Sequence, residues 1–204
     1  MKQTSNKINF ILKFIIALFG VGLFIAHIID PVAWQKTWSY IATIFLPFIP
    51  EIFKFFGLNM TVRLQIAYSL FLGISMIAGI DFDLYKVWYI FGNPCFDKIV
   101  HCISGIMAAF VAKEILDRNY EGTDVKVSGG KARVKHYDTR FTWLFIVSFV
   151  AFTAAAWECF EFLYDQTTGG SMQQLITPGV EDTMWDIVGA LAAGIIFAFP
   201  LSKK

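Results

Sequence analysis

Phe14-Ile-Ile-Ala-Leu-Phe-Gly-Val-Gly-Leu-Phe-Ile-Ala-His27-Ile-Ile29 is an apolar run broken only by His27. Its length approaches the ~20 apolar residues that an α-helix needs to cross a ~30 Å hydrocarbon core. Met1-Lys2-Gln3 precedes it, so the run resembles a signal peptide, but no small-x-small cleavage site follows and it reads as a retained first span. The rest of the chain is of the same kind. It has 204 residues, 56% apolar and 17% aromatic with 22 Phe, and a mean hydropathy of +0.58. That surplus of apolar surface is more than a soluble domain of this size can bury.

Six helical segments can be drawn, at about Ile8–Ile29, Trp34–Phe56, Val62–Ile80, Phe96–Leu116, Phe141–Tyr164 and Thr183–Leu201. The expected fold is therefore an all-α membrane protein, a polytopic bundle of about six transmembrane helices forming a single domain over residues 1–204. The second segment holds Pro47, Pro50, Glu51 and Lys54. It is expected to kink and to end with its charges reaching for an interface.

With both termini cytoplasmic, fourteen of the 17 Lys and Arg fall inside, and only Lys36, Lys86 and Lys98 fall outside. This positive-inside asymmetry supports the span count and the orientation together. The long polar loop, about residues 117–140, falls inside. Its stretch Asp124–His136 alternates around Ser128-Gly129-Gly130, which favours a small β-hairpin or a mobile loop. Such a basic loop suits anionic membrane lipids as partners. A net charge of +1 speaks against nucleic acid. Cys95, Cys102 and Cys159 form no CxxC motif and read as buried small residues, with an outer disulfide as the alternative.

The same count places ten acidic residues outside. Three pairs lie at spacings that share a helix face: Asp97 with His101, Glu158 with Glu161, and Asp182 with Asp186. Small residues continue each face, namely Gly105 and Ala108, Ala154, and Gly189 and Ala193. In membranes such stripes mark helix contacts, so the acids are expected to point into the bundle. Asp97 follows Asn93-Pro94 and Asp182 begins a helix, so helix capping, worth ~0.3–1 kcal/mol, accounts for either. It does not account for Glu158 and Glu161 near a helix carboxyl end, nor for Asp186 a full turn deeper. A charge facing hydrocarbon there costs ~2.5–3.5 kcal/mol, so these three need partners.

Lys98 is expected to point off the Asp97/His101 face, leaving positive charge scarce. A divalent cation is then the natural neutraliser, Mg²⁺, Mn²⁺ or Ca²⁺ for an oxygen-rich site and Zn²⁺ if fewer carboxylates bind. Its expected ligands are Asp97, His101, Glu158, Asp182 and Asp186, with Glu161 and His101 as catalytic acid/base candidates. The metal-free version is a protonated carboxyl cluster with His101 as shuttle. His27 and the tryptophans Trp34, Trp38, Trp88, Trp157 and Trp185 are expected at the outer interface, with Trp143 at the inner one. Glu114 and Asp117 read as interfacial charges.

Phe96-Asp97-Lys98-Ile99-Val100-His101, then Trp157-Glu158-Cys159-Phe160-Glu161, then Asp182-Thr183-Met184-Trp185-Asp186-Ile187-Val188-Gly189-Ala190 resembles the VanZ-like membrane proteins. It is still more similar to a related family of uncharacterised bacterial inner-membrane proteins, and the likeness covers about residues 95–195. Val188 stands where the VanZ-like pattern usually has Asn before the Gly, which favours the second family. The resemblance implies the bacterial cytoplasmic (inner) membrane and puts functional weight on Asp97, Lys98, His101, Glu158 and Asp186. VanZ-like proteins are associated with lowered susceptibility to glycopeptide antibiotics at the cell envelope.

Three functions follow as expectations. The first is chemistry on, or binding of, an envelope or lipid-linked substrate at the extracytoplasmic face. The second is a cation- or proton-coupled transporter, which needs polar residues deeper in the bundle, where Gln65, Ser69 and Ser75 are the main candidates. The third is a non-catalytic accessory protein with the acids spread around an outer rim.

Overall fold

The structure is a computed structural model, and it describes residues 2–29, 35–87, 89–90, 93–120, 124–125, 133–134, 138–169 and 179–203. The expectations for Trp34 and Trp88 fall outside them.

The protein is helical throughout its apolar segments. Among the described residues five helices are long and apolar enough to cross a membrane: Ser5–Ile29 of α1 (Lys2–Ile29), Val62–Gly79, Cys95–Arg118 of α6 (Cys95–Tyr120), α7 (Thr139–Thr168) and Val180–Ser202 of α8 (Gly179–Ser202). The segment expected as the second span is broken instead into α2 (Gln35–Phe45), a 3-10 turn (Leu46–Phe48) and α3 (Ile49–Phe55). Pro47 and Pro50 lack the amide donors that a continuous helix needs. The broken segment still runs antiparallel beside α1. Thr37 Oγ1 meets His27 Nε2 at 2.7 Å near one end, and Glu51 accepts a 2.7 Å bond from Lys13 Nζ near the other.

The next span begins as α4 (Val62–Leu72) and continues as a π-helix over Gly73–Asp81, followed by the short α5 (Leu84–Val87). Strands β1 (Tyr89–Ile90) and β2 (Asn93–Pro94) pair antiparallel immediately before α6. The polar loop carries a second antiparallel pair, β3 (Asp124–Val125) with β4 (Arg133–Val134), which fits the hairpin of the two expected forms, and Ser128-Gly129-Gly130 lie outside the described residues.

Helices α6, α7 and α8 pack into one three-helix unit, while α1, α2 and α4 form a second. In the first unit each helix buries one continuous ridge, beside which α6 also buries Phe96 and Val100. On α8 this is Asp182, Asp186, Ala190, Gly194, Ala198 and Ser202, every fourth residue. On α6 it is Asp97, His101, Gly105, Ala109, Ala112 and Leu116, and on α7 Thr142, Ile146, Val150, Ala154, Glu158 and Glu161. Ridges of this spacing interlock when the residues along them are small. Gly105 shows how closely: a Cβ there would lie 2.1 Å from the carbonyl oxygen of Ala190. On α8 the contact residues are thus Ala190 and Gly194, one position beyond the expected Gly189 and Ala193, and on α6 Ala109 replaces Ala108. The opposite faces carry exposed Phe152, Leu163, Ile196 and Phe199, as a lipid-facing surface requires.

The contact pairs set the helix directions. The start of α6 meets the start of α8 and the end of α7, so α6 and α8 run parallel to each other and antiparallel to α7. All three polar ridge ends therefore lie at one end of the unit. Arg118, Arg140 and Lys203 lie at the other.

Several charges serve packing. Lys13 is 2% exposed and bonds Glu51 at 2.7 Å and Gln65 Oε1 at 2.8 Å. Asn9 Nδ2 donates to the same Gln65 oxygen at 2.8 Å. Glu114, read as an interfacial charge, accepts from the backbone amide and hydroxyl of Thr61 and so fastens the start of α4 to α6. Asp117 pairs with Lys113. The three cysteines are free. Cys95 and Cys102 are half-buried, and Cys159 is exposed rather than buried.

Candidate functional site

Where the three ridges end, Asp97, His101, Glu158, Glu161, Asp182 and Asp186 are all buried. Their helices explain this. A four-residue step puts Asp97 and His101 on the same ridge as Gly105, and Asp182 and Asp186 on the same ridge as Ala190, so close approach of the small residues draws the polar ones together.

Lys98 joins them, against the expectation that it points away. Its Nζ lies 2.6 Å from Asp182 Oδ1, 2.7 Å from Asp186 Oδ1 and 3.1 Å from Asp97 Oδ2. The ammonium reaches across to α8 on its flexible four-carbon stem, which the Cβ direction does not constrain. Asp182 is held in the cluster chiefly through this bond.

His101 sits at the centre. Its Nε2 is 3.6 Å from Asp97 Oδ1 and 3.8 Å from Asp186 Oδ2, and its Nδ1 is 3.6 Å from Glu158 Oε1. These separations are too long for hydrogen bonds. They are close to the ~3.4 Å edge of a tetrahedral ligand shell with bonds of ~2.1 Å. Two groupings have one ligand atom per residue within 4.8 Å of one another: Asp97, His101 and Asp186, and His101, Glu158 and Glu161. Asp182 belongs to neither. Glu158 Oε1 is buried with no hydrogen-bond partner. Glu161 Oε1, by contrast, accepts a 2.5 Å bond from the indole of Trp157, which anchors it.

In charge terms, five carboxylates face one ammonium and one imidazole. Even a doubly protonated His101 leaves an excess of negative charge among buried side chains, which favours a bound cation or retained protons.

Tyr85, which no periodicity in the sequence singles out, also approaches the site. Its ring stands edge-on to Phe96 with centroids 5.0 Å apart. It fills the space left by Gly79, where a Cβ would come within 2.2 Å of the ring. Burial, and then the charges of Asp97, Glu161 and Asp186, push its phenol far above the ordinary range, so it stays protonated. His27 stands apart, bonded to Thr37 and packed on Tyr40. Trp38, Trp157 and Trp185 are exposed, and Trp143 is half-buried at the opposite end of α7.

Long apolar helices with a buried carboxylate, imidazole and ammonium cluster at one end of a three-helix unit define a multi-pass membrane protein with a single polar centre among the described residues of that unit. Residues 9–203 match the family described as a predicted membrane protein (DUF2238), and the chain belongs to that family. The match runs well beyond the three motifs of α6, α7 and α8 and takes in α2, α4 and most of α1. No curated protein and no solved structure matches the chain.

Proposed function

We propose that the cluster is a divalent-cation site at the extracytoplasmic face of the bacterial cytoplasmic membrane, acting on or binding an envelope or lipid-linked substrate. The observation that carries this reading is His101, both of whose ring nitrogens face carboxylate oxygens at 3.6–3.8 Å, with Glu158 Oε1 buried and unpaired. Each grouping offers one imidazole and two carboxylates, a donor set that suits Zn²⁺ or Mn²⁺ better than the all-oxygen preference of Ca²⁺ or Mg²⁺. Glu161, positioned by Trp157, is the candidate general base, and Lys98 would offset the charge of the Asp residues around it.

The membrane orientation rests on charge. Arg118, Arg140 and Lys203 lie opposite the carboxylates, as a cytoplasmic end requires. The broken segment beside α1 is taken as the sixth crossing, which returns both termini to that side. The motif likeness to VanZ-like proteins supports an envelope setting and supplies no reaction.

Transport is less well supported. Below the cluster the three ridges continue as Ala109, Ala112, Ile146, Val150 and Ala198, all fully buried and apolar, and the buried hydroxyls of Ser69 and Ser75 are given to backbone carbonyls of their own helix. A purely accessory role fits poorly too, because the charged residues are gathered and buried rather than spread around a rim.

Metal analysis of the purified protein beside Asp186→Ala tests the reading. Stoichiometric transition metal in the parent and its loss in the variant are expected. A parent free of metal after exposure to Zn²⁺ and Mn²⁺ would overturn it.

A further inference from the structure

At the end of the unit opposite the carboxylates, α7 begins beside the end of α8. Between them Thr139, Arg140, Trp143, Leu144, Phe199 and Ser202 line a groove of about 520 Å³ with almost wholly apolar walls. Arg140 and Glu158 are eighteen residues apart on one helix, which is about 27 Å at 1.5 Å per residue. The groove therefore opens at the other hydrocarbon boundary, where its apolar walls meet acyl chains rather than water.

Two cations stand at its mouth. Arg140 is exposed and forms no ion pair among the described residues. The ammonium of exposed Lys203 lies 3.8 Å from the centroid of Phe199, one of the groove walls. The hydroxyl of Ser202 is already given to the Phe199 carbonyl, so it does not compete for a head group. Trp143 adds an indole at the depth where amphipathic rings settle. An apolar slot within the ~300–1,000 Å³ range of ligand sites, open to the bilayer and headed by two positive charges, has the complement of one membrane component. We infer that the groove holds an acyl chain of an anionic phospholipid, with its phosphate between Arg140 and Lys203.

The test uses the full chain in phosphatidylcholine vesicles that carry brominated acyl chains on either phosphatidylglycerol or phosphatidylcholine, at equal mole fraction. Bromine quenches a tryptophan that it touches, and the difference between the parent and Trp143→Phe isolates the Trp143 signal. A cation near the surface favours an anionic head group by a factor of about five, so the brominated phosphatidylglycerol should quench Trp143 several-fold more effectively. Arg140→Gln with Lys203→Gln should bring the two lipids level, and Arg140→Lys should keep the preference. If Trp143→Phe does not fold, the same comparison is read on total fluorescence of the parent and the double Gln variant. Equal quenching by both lipids in the parent would show a face bathed by bulk lipid. Protection from both would show a second protein surface, including another copy of the chain, lying on the groove. Either result overturns the inference.

Discussion

Nδ1 of His101 and Oε1 of Glu158 face each other at 3.6 Å, and that carboxylate oxygen is buried without a hydrogen bond. A buried acceptor left in this state is costly unless something lies between the two atoms.

If a cation occupies that gap, metal stabilises the fold by mass action, worth ~2.7 kcal/mol at a hundred times the dissociation constant. Thermal unfolding of metal-stripped protein should therefore shift upward on adding Zn²⁺ or Mn²⁺. His101→Gln removes the residue common to both groupings and should abolish the shift. Glu158→Gln leaves Asp97, His101 and Asp186 in place and should reduce it only in part. An undiminished shift in His101→Gln would refute a site centred on this imidazole.

Lys98→Met removes the one ammonium that Asp97, Asp182 and Asp186 share. Breaking a fully buried ion pair costs ~3–5 kcal/mol. Because the Lys98 side chain is 31% exposed, a loss of about 2–3 kcal/mol is expected after allowing for solvent screening. Asp182→Asn in the same chain should recover part of it, as measured by denaturant unfolding in detergent.

Gly105 and Gly189 form a matched pair on facing helices. A Cβ at Gly105 meets the backbone of Ala190 at 2.1 Å, whereas at Gly189 the nearest atom is the Cys102 sulfur at 3.5 Å. Gly105→Ala should force α6 and α8 apart, costing about 2–3 kcal/mol as overpacking does. Gly189→Ala should be neutral or slightly stabilising. Equal effects would mean that the helices do not approach at Gly105.

Removing either member of the Lys13–Glu51 pair should be unequal. Glu51 is 54% exposed and can be hydrated after Lys13→Met, but Lys13 is 2% exposed and keeps an uncompensated charge after Glu51→Ala. Glu51→Ala should therefore cost about 3 kcal/mol and Lys13→Met about 1. The double variant should be more stable than Glu51→Ala alone, which a double-mutant cycle will read directly.

Single cysteines at exposed Gln166 and Asp138, at opposite ends of α7, test the orientation in a chain whose own cysteines are replaced. In intact cells a membrane-impermeant maleimide should label Gln166→Cys. Asp138→Cys should react only after the membrane is opened. The reverse pattern would put the carboxylates on the cytoplasmic side.

Much of the site was legible in the chain itself. Glu158 and Glu161 stand near a helix carboxyl end, where the dipole offers them nothing, and Asp186 lies too deep for a cap. Each therefore needs a partner: Glu161 has the Trp157 indole and Asp186 has Lys98, while Glu158 Oε1 is buried facing His101 without a hydrogen bond. Lys98 was not legible. A lysine's position is read from its Cβ, but its ammonium lies four carbons further on and goes wherever the neighbouring helix puts its carboxylates. Tyr85 was hidden for another reason. It belongs to a four-residue helix after an irregular turn, and only the space at Gly79 brings its ring to the cluster.

The apolar lengths and the faces of the helices were determined by the sequence, because crossing hydrocarbon requires long apolar runs and a helix repeats its faces every three or four residues. The prolines of the second segment pointed to a kink, and the structure goes further and breaks the helix there. Which small residues touch was decided by the fold, down to the shift from Gly189 to Ala190, since a one-position rotation of a helix is a matter of fit between surfaces. The pairing of charges was decided there too. Opposite groups far apart in the chain, Lys98 and Asp182 among them, find each other only after three ridges have locked together in alternating directions, and that packing fixes which partners the three pairs meet.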